Sequence, residues 1–208
     1  MKINIDKRLY KEINWHLAND FRPSQYLNSL REDSFLKYPF IMLNKLKHTE
    51  QSLKYHPEGN VWNHTMLVVD NAALRKEKSS NSQEFMWAAL LHDIGKPDAT
   101  KVKNGKITSY DHDKIGAQLA NEFLQNFSEN EHFIKNVTAL VRWHMQILFV
   151  INQLKFVQIE QMKNEVLIND IALLGLCDRL GRLGADEEKE QQNIKIFLYK
   201  CKEKNING

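Results

Sequence analysis

Apolar residues recur along this chain at i, i+3, i+4 and i+7, the spacing that turns one face of an α-helix toward a core. Read this way, the sequence predicts helices at about 5–20, 24–31, 33–47, 60–77, 83–94, 112–127, 130–146, 153–163, 166–183 and 185–203. One segment breaks the pattern. Thr100-Lys101-Val102-Lys103, then Asn104-Gly105, then Lys106-Ile107-Thr108-Ser109-Tyr110 predicts a short β-hairpin on a type I′ turn. A lone hairpin is marginal in water, so it is expected to pack against the helices as a flap. Lys78 to Ser82 reads as a loop whose last serine can cap the next helix. Pro97, after Gly95-Lys96, is expected to stop the helix before it. The expected fold class is all-α, a helical bundle with one short β-hairpin.

Composition narrows this further. Eight Gly and four Pro in 208 residues are too few for a turn-rich β-sandwich or barrel. With 42% hydrophobic and 26% charged residues the chain has a globular balance. The net charge of +3 permits an anionic substrate without marking a nucleic-acid binder. No apolar run reaches the roughly 20 residues that span a bilayer, and the N-terminus has no signal-like apolar stretch. Cys177 and Cys201 read as reduced thiols, so the expected location is cytoplasmic, with no membrane partner. Residues 1–50 carry ordinary amphipathic helices and read as an N-terminal helical extension. The chemistry concentrates in 51–184, leaving 185–208 as a last helix and a solvated tail.

The informative feature is where histidines and one aspartate fall. His64 shares a face with Val61, Leu67 and Val68, and His92 with Phe85, Ala88 and Ala89. His112 precedes Ile115, Gly116, Leu119 and Phe123; His144 follows Val137, Leu140 and Val141; Asp178 follows Ile171, Leu174 and Gly175. A single histidine on an apolar face is ordinarily a satisfied core residue. A buried aspartate is harder to explain, because an unpaired carboxylate costs several kcal/mol. Five such cases are satisfied together if they converge on a divalent metal ion. The dipeptide His92-Asp93 is weak by itself, since His112-Asp113 repeats it. The string Leu91-His92-Asp93-Ile94-Gly95-Lys96-Pro97 is far more specific.

These residues resemble a known family. His64, His92-Asp93 and Asp178 fit the H…HD…D pattern of the HD-domain metal-dependent phosphohydrolases. The resemblance spans about 51–184 and is to the HD domain on the C-terminal side of some bacterial tRNA nucleotidyltransferases, the CCA-adding enzymes. It is carried by Tyr55 to Thr65, His92 to Pro97, Lys106 to Gly116, Leu140 to Met145 and Asp178 to Arg182. It implies an all-helical domain with His64, His92, Asp93 and Asp178 as core metal ligands. His112 and His144 stand where two-metal members complete a second site. No nucleotidyltransferase head is recognised: Asp111-His112-Asp113 lacks the Gly-Ser strand-and-turn context and follows the HD string.

Further roles follow. One or two divalent ions (Mg, Mn, Ni, Co, Fe or Zn, which the ligand types do not separate) would activate a water and hold a phosphoryl oxygen. Asp93 is the expected catalytic carboxylate, ligating and orienting that water. Lys96 is expected to balance phosphoryl charge, against the alternative of a solvated residue past a helix end. Arg182 either grips a phosphate or pairs with Asp178 or Glu187. His56 and Glu58 either line the pocket mouth or form a turn into the helix. Arg142 and Arg179 are read as surface residues, and Lys101, Lys103 and Lys106 as a solvated face or a contact to nucleic acid. Trp62, Trp87 and Trp143 are read as core, and His16, His48 and His132 as surface.

The expected activity is a metal-dependent phosphodiesterase or phosphatase acting on nucleotides or RNA-end phosphates, such as 2′,3′-cyclic or 2′-phosphates, with tRNA as a candidate partner. One alternative is hydrolysis of a free nucleotide: a dNTP, a dinucleoside polyphosphate or a cyclic nucleotide. Another is a non-catalytic module that binds RNA or protein. Oligomeric state is not legible.

Overall fold

The computed structural model describes residues 5–128 and 130–203. They form helices α1 (Ile5–Asn19), α2 (Pro23–Ser29), α3 (Ile41–Lys47), α4 (Val61–Ala73), α5 (Ser82–Leu91) and α6 (Lys96–Ala99). After the hairpin β1 (Lys101–Lys103) and β2 (Lys106–Thr108) come α7 (His112–Gln125), α8 (Glu131–Trp143), α9 (Gln146–Ile151), α10 (Ile159–Glu165), α11 (Ile168–Leu180) and α12 (Glu187–Glu203). Short 3₁₀ turns occupy Glu32–Phe35 and Lys76–Lys78. The class is all-α with one two-stranded hairpin, as the periodicity implies. No helix among the described residues is long and apolar enough to cross a membrane.

Helix α5 organises the bundle. Every residue from Glu84 to Leu91 is buried, and α1, α4, α8 and α11 pack around it. A helix apolar all round belongs at the centre of a core. Its one buried acid, Glu84, accepts from Asn136 Nδ2 at 3.0 Å. One continuous core joins Ile13 and Leu27, from the first two helices, to Phe85, Val137, Leu174 and Phe197. Each such side chain contributes roughly 1.5–3 kcal/mol through removal from water. Trp62, Trp87 and Trp143 belong to this core, with their indole N–H groups bonded to Asn28, Asn14 and Glu165.

Asparagines start three helices: Asn60, Asn81 and Asn130 accept the backbone N–H of Asn63, of Gln83 and Glu84, and of Phe133. The cap of α5 is thus Asn81 rather than Ser82, whose hydroxyl bonds the Lys76 carbonyl instead. The helix expected over 33–47 is divided at the cis Tyr38-Pro39 bond, since Pro39 has no N–H to donate. Pro97 does more than stop a helix: it lies in the first turn of α6, where its missing N–H costs nothing. The helix expected over 153–163 begins only at Ile159, and 152–158 is a loop held by a buried glutamine described below.

Two local geometries shape the site. Asn104 and Gly105, at φ 51° and 70°, make the type I′ turn, with Val102 opposite Ile107. The hairpin is mostly exposed, and residues 107–110 line the cavity described next. At Gly95, a Cβ would lie 2.2 Å from the His112 carbonyl and 2.4 Å from the Gly116 nitrogen. Only glycine lets the turn after α5 touch the start of α7, which sets His112 beside Asp93.

Candidate metal centre

Five elements bring the histidines and acids together. His64 comes from the first turn of α4, and His92-Asp93 from the turn that ends α5. His112 opens α7, His144 caps the end of α8, and Asp178 lies in the last turn of α11. All are buried. Asp93 is the hub. Its Oδ2 lies 3.2 Å from His92 Nε2, 3.9 Å from His64 Nε2 and 2.8 Å from Lys96 Nζ. Its Oδ1 lies 3.4 Å from His112 Nε2 and 3.8 Å from His144 Nε2. Asp178 Oδ1 lies 2.9 Å from His64 Nε2.

The other ring nitrogens fix the tautomers. His92, His112 and His144 each place Nδ1 against the carbonyl three residues earlier: Ala89 at 2.8 Å, Ser109 at 2.7 Å and Val141 at 2.6 Å. A carbonyl only accepts, so each Nδ1 carries the proton and each Nε2 turns a lone pair inward. His64 Nδ1 lies 2.9 Å from Glu58 Oε1, so its Nε2 also faces the cluster.

Neutral imidazoles in this arrangement cannot satisfy one another. His112 Nε2 and His144 Nε2 face each other at 3.2 Å, both as acceptors. His92 Nε2 has no hydrogen-bond partner, and Asp93 Oδ2 makes no aligned hydrogen bond despite its lysine neighbour. Burial, then the neighbouring His112 and His92, push His144 down to about 4, so a proton does not resolve the clash near neutrality. Burial likewise lowers His112 in spite of Asp93. A divalent cation accepts all of these lone pairs, and nitrogen and carboxylate donors of this kind suit one. Three three-residue groups have ligand atoms within 4.8 Å of one another; two of them meet at Asp93, His64–His92–Asp93 and Asp93–His112–His144, and the third is His56–Glu58–His64 beside them. Asp178 adds a carboxylate on the first side through its contact with His64.

Burial opposes ionisation of Asp93, yet Lys96 and His92 hold it well below the usual carboxylate range. Asp178 meets the same opposition and is held down by His64 and Arg182. For His64, burial is outweighed by its bonds to Asp178 and Glu58, which raise it. A metal ion would replace that proton.

Around the cluster opens a cavity of about 640 Å³. Lys96 lines it, buried, with its ammonium 2.6 Å from Gln51 Oε1 as well as against Asp93, so it is not the solvated residue of the alternative reading. Arg182 lines it too, 4.0 Å from Asp178 Oδ2, with a buried Nε that bonds nothing. Glu187, its other candidate partner, is paired with Arg75 at 2.7 Å. His56 lines the mouth and reaches Glu58 Oε1 at 2.8 Å; burial, then Lys96 and His64, push it down to about 4. Arg142 corrects the sequence reading: it lines the cavity, its Nη1 2.6 Å from Asp113 Oδ2, its guanidinium stacked on Trp143. Arg179 faces away and pairs with Glu190. Lys101, Lys103 and Lys106 are exposed, as are His48 and His132, whereas His16 is half-buried, stacked on Tyr26 and bonded to Asp20.

Two supporting contacts lie outside the sequence reading, which names Glu58 only for the pocket mouth or a turn and does not name Gln51. Glu58 is the acceptor that orients His64, the kind of outer carboxylate that metal-binding histidines commonly have. Its position in Pro57-Glu58-Gly59, where Gly59 turns at φ 99°, was the available signal. Gln51, which holds Lys96, carries no signal at all in a lone polar position.

The HD domain family matches residues 61–181, more than half of the chain and the segment that holds every histidine and acid of the cluster. The chain belongs to the HD-domain family. This is the superfamily of metal-dependent phosphohydrolases. Among curated relatives, the multifunctional CCA protein of Methylococcus capsulatus is 28% identical over 201 residues, covering 95% of this chain and 40% of its own length. That of Neisseria meningitidis serogroup C is 27% identical over 169 residues, 79% of this chain and 36% of the relative. That of Pasteurella multocida is 34% identical over 106 residues, 50% and 25%. The HD-domain chain thus spans less than half the length of each.

Proposed function

We propose that this HD domain is a phosphodiesterase or phosphatase that uses a divalent metal to hydrolyse nucleotide or RNA-end phosphates, such as 2′,3′-cyclic or 2′-phosphates. The observation that carries the reading is the convergence of four inward-facing Nε2 atoms on Asp93, on the wall of a cavity that also holds Lys96 and Arg182. His64, His92, Asp93 and Asp178 would hold one ion; Asp93 with His112 and His144 would hold a second. A divalent cation bound there supplies Lewis acidity toward a phosphoryl oxygen and lowers the pKa of a water. The chain's own residues do the rest. Asp93, with an oxygen toward each histidine group, orients the attacking water. The Lys96 ammonium and the Arg182 guanidinium balance the charge that builds on the phosphoryl oxygens. His56, neutral near pH 7, lines the entrance without adding charge.

The substrate class is supported by the resemblance to tRNA nucleotidyltransferases and by relatives named multifunctional CCA proteins, which bring tRNA ends in as candidates. The test is phosphate release or ring opening on short RNAs with 2′-phosphate or 2′,3′-cyclic ends, before and after chelator dialysis and metal return. Asp93→Ala should lower turnover at least a hundredfold. Full turnover after chelation, or in Asp93→Ala, would overturn the proposal.

The His112–His144 pair favours a second reading, two ions acting on a polyphosphate such as a dNTP or dinucleoside polyphosphate. Two metals per chain, together with faster turnover of those free nucleotides than of RNA ends, would select it.

A further inference from the structure

The cavity over the metal cluster is larger than a phosphate requires, and part of its lining is aromatic. Its volume of about 640 Å³ lies in the range of sites for whole small molecules. Phe149 and Phe156 line it, ring centroids 5.4 Å apart and tilted by 51°. Phe156 keeps 46% of its surface exposed, and Tyr110, brought in behind the hairpin, keeps 74%. Large aromatic faces left in water at the mouth of a cavity suggest a surface awaiting a flat apolar partner.

The ring is also held in place. Phe156 lies in the 152–158 loop, where the sequence predicts helix. Gln146, 1% exposed, donates Nε2 to the Phe156 carbonyl at 3.2 Å and accepts the Gln158 N–H at 2.9 Å. The Leu154 N–H reaches the Phe149 carbonyl at 2.9 Å. A buried amide thus ties the backbone at and just after an exposed aromatic, and the Leu154 bond ties it just before. This pre-arranges the ring and lowers the ordering cost of binding. Lys96 and Arg182 meanwhile line the same cavity with positive charge. An occupant matched to both features carries a phosphate and a planar π-face.

We propose that Phe156, backed by Phe149, is a stacking platform for the nucleobase of a ligand whose phosphate lies at Asp93, Lys96 and Arg182. The proposal rests on the phosphate-binding reading of that cluster and adds what selects the rest of the molecule. Stacking tolerates any base, because every base has a π-face. The residues therefore select base-bearing phosphates over sugar phosphates rather than one base over another.

Isothermal titration of the whole chain, dialysed against chelator so that no ester is turned over, with AMP and with ribose 5-phosphate, which lacks the base, tests this. AMP should bind about fivefold to a hundredfold tighter, the range that base–aromatic stacking contributes. Phe156→Ala should bring the ratio toward one, and Phe156→Tyr should restore it. The half-exposed ring makes unfolding by either substitution unexpected, and a melting curve checks it. A short oligoribonucleotide with a 3′-terminal phosphate, titrated alongside, tells a free nucleotide from an RNA end as the source of the base. Equal affinity for AMP and ribose 5-phosphate, no binding of either, or a ratio untouched by Phe156→Ala would overturn the platform. A chain that shows the ratio but never hydrolyses a phosphate ester would refute the phosphohydrolase reading alone. An active chain with a ratio of one would refute the platform alone.

Discussion

Replacing Glu58 by glutamine keeps the shape of the side chain and removes its charge. Oε1 accepts from His64 Nδ1 at 2.9 Å and meets His56 Nδ1 at 2.8 Å, while Oε2 accepts the Leu183 N–H at 3.3 Å. Glutamine has one oxygen for these donors, and its NH₂ must face another N–H group. A hydrogen bond to a charged group contributes about 1.5–3 kcal/mol, against about 1 for a neutral pair. The loss at His64 is therefore about 0.5–2 kcal/mol, or roughly twofold to thirtyfold in metal affinity, reaching into the 10- to 100-fold span typical of outer carboxylates. Titration of chelator-dialysed protein with Mn²⁺ against a competing indicator measures it. Glu58→Ala should do worse, since it strands a buried N–H. Burial opposes ionisation of Glu58, but bonds from His64 and His56 carry it down to about 2, so it stays charged at every working pH. Glu58 also raises His64, whose proton the ion must displace, so the deficit of Glu58→Gln should be largest near about pH 8 and shrink as pH falls toward about 5.5. Metal affinity within twofold of wild type would refute the reasoning.

Two stability predictions accompany it. Glu58 sits at about 2 against an ordinary 4.5, so the unfolded chain takes up the proton first; its contribution is fully present above about pH 4.5 and is lost as pH falls toward 2. Urea unfolding of metal-free protein should show wild type losing up to about 3 kcal/mol more than Glu58→Gln across that window, and equal slopes would contradict it. Gly95→Ala places a methyl 2.2 Å from the His112 carbonyl, so it should cost at least about 2 kcal/mol and lower the melting temperature by about 4–8 °C, with an unchanged melt as the contrary result.

Much of this was legible in one dimension because the helix period reports which side of a segment is buried. His64, His92, His112, His144 and Asp178 were each visible as polar residues on apolar stripes, and their burial follows from that. The hairpin was visible because Asn-Gly demands the backbone that Asn104 and Gly105 adopt. What escaped lies in contacts between segments distant in sequence. Gln51 reaches Lys96 across 45 positions, and Arg142 reaches Asp113 across 29, so neither has a local pattern. Helix is expected from 153 because Leu154 and Val157 stand three residues apart, one of the helical spacings. A buried Gln146, bonded to the 152–158 backbone, overrides local preference there.

The manner in which the four imidazoles are tethered has a consequence for how such a centre can change over time. Three of them hang from main-chain carbonyls three residues back in the chain, which no point substitution can remove. Only His64 is steered by another side chain, Glu58. Drift toward a different preferred ion, in nature or in a laboratory selection, therefore has one adjustable corner to work on and three that are locked.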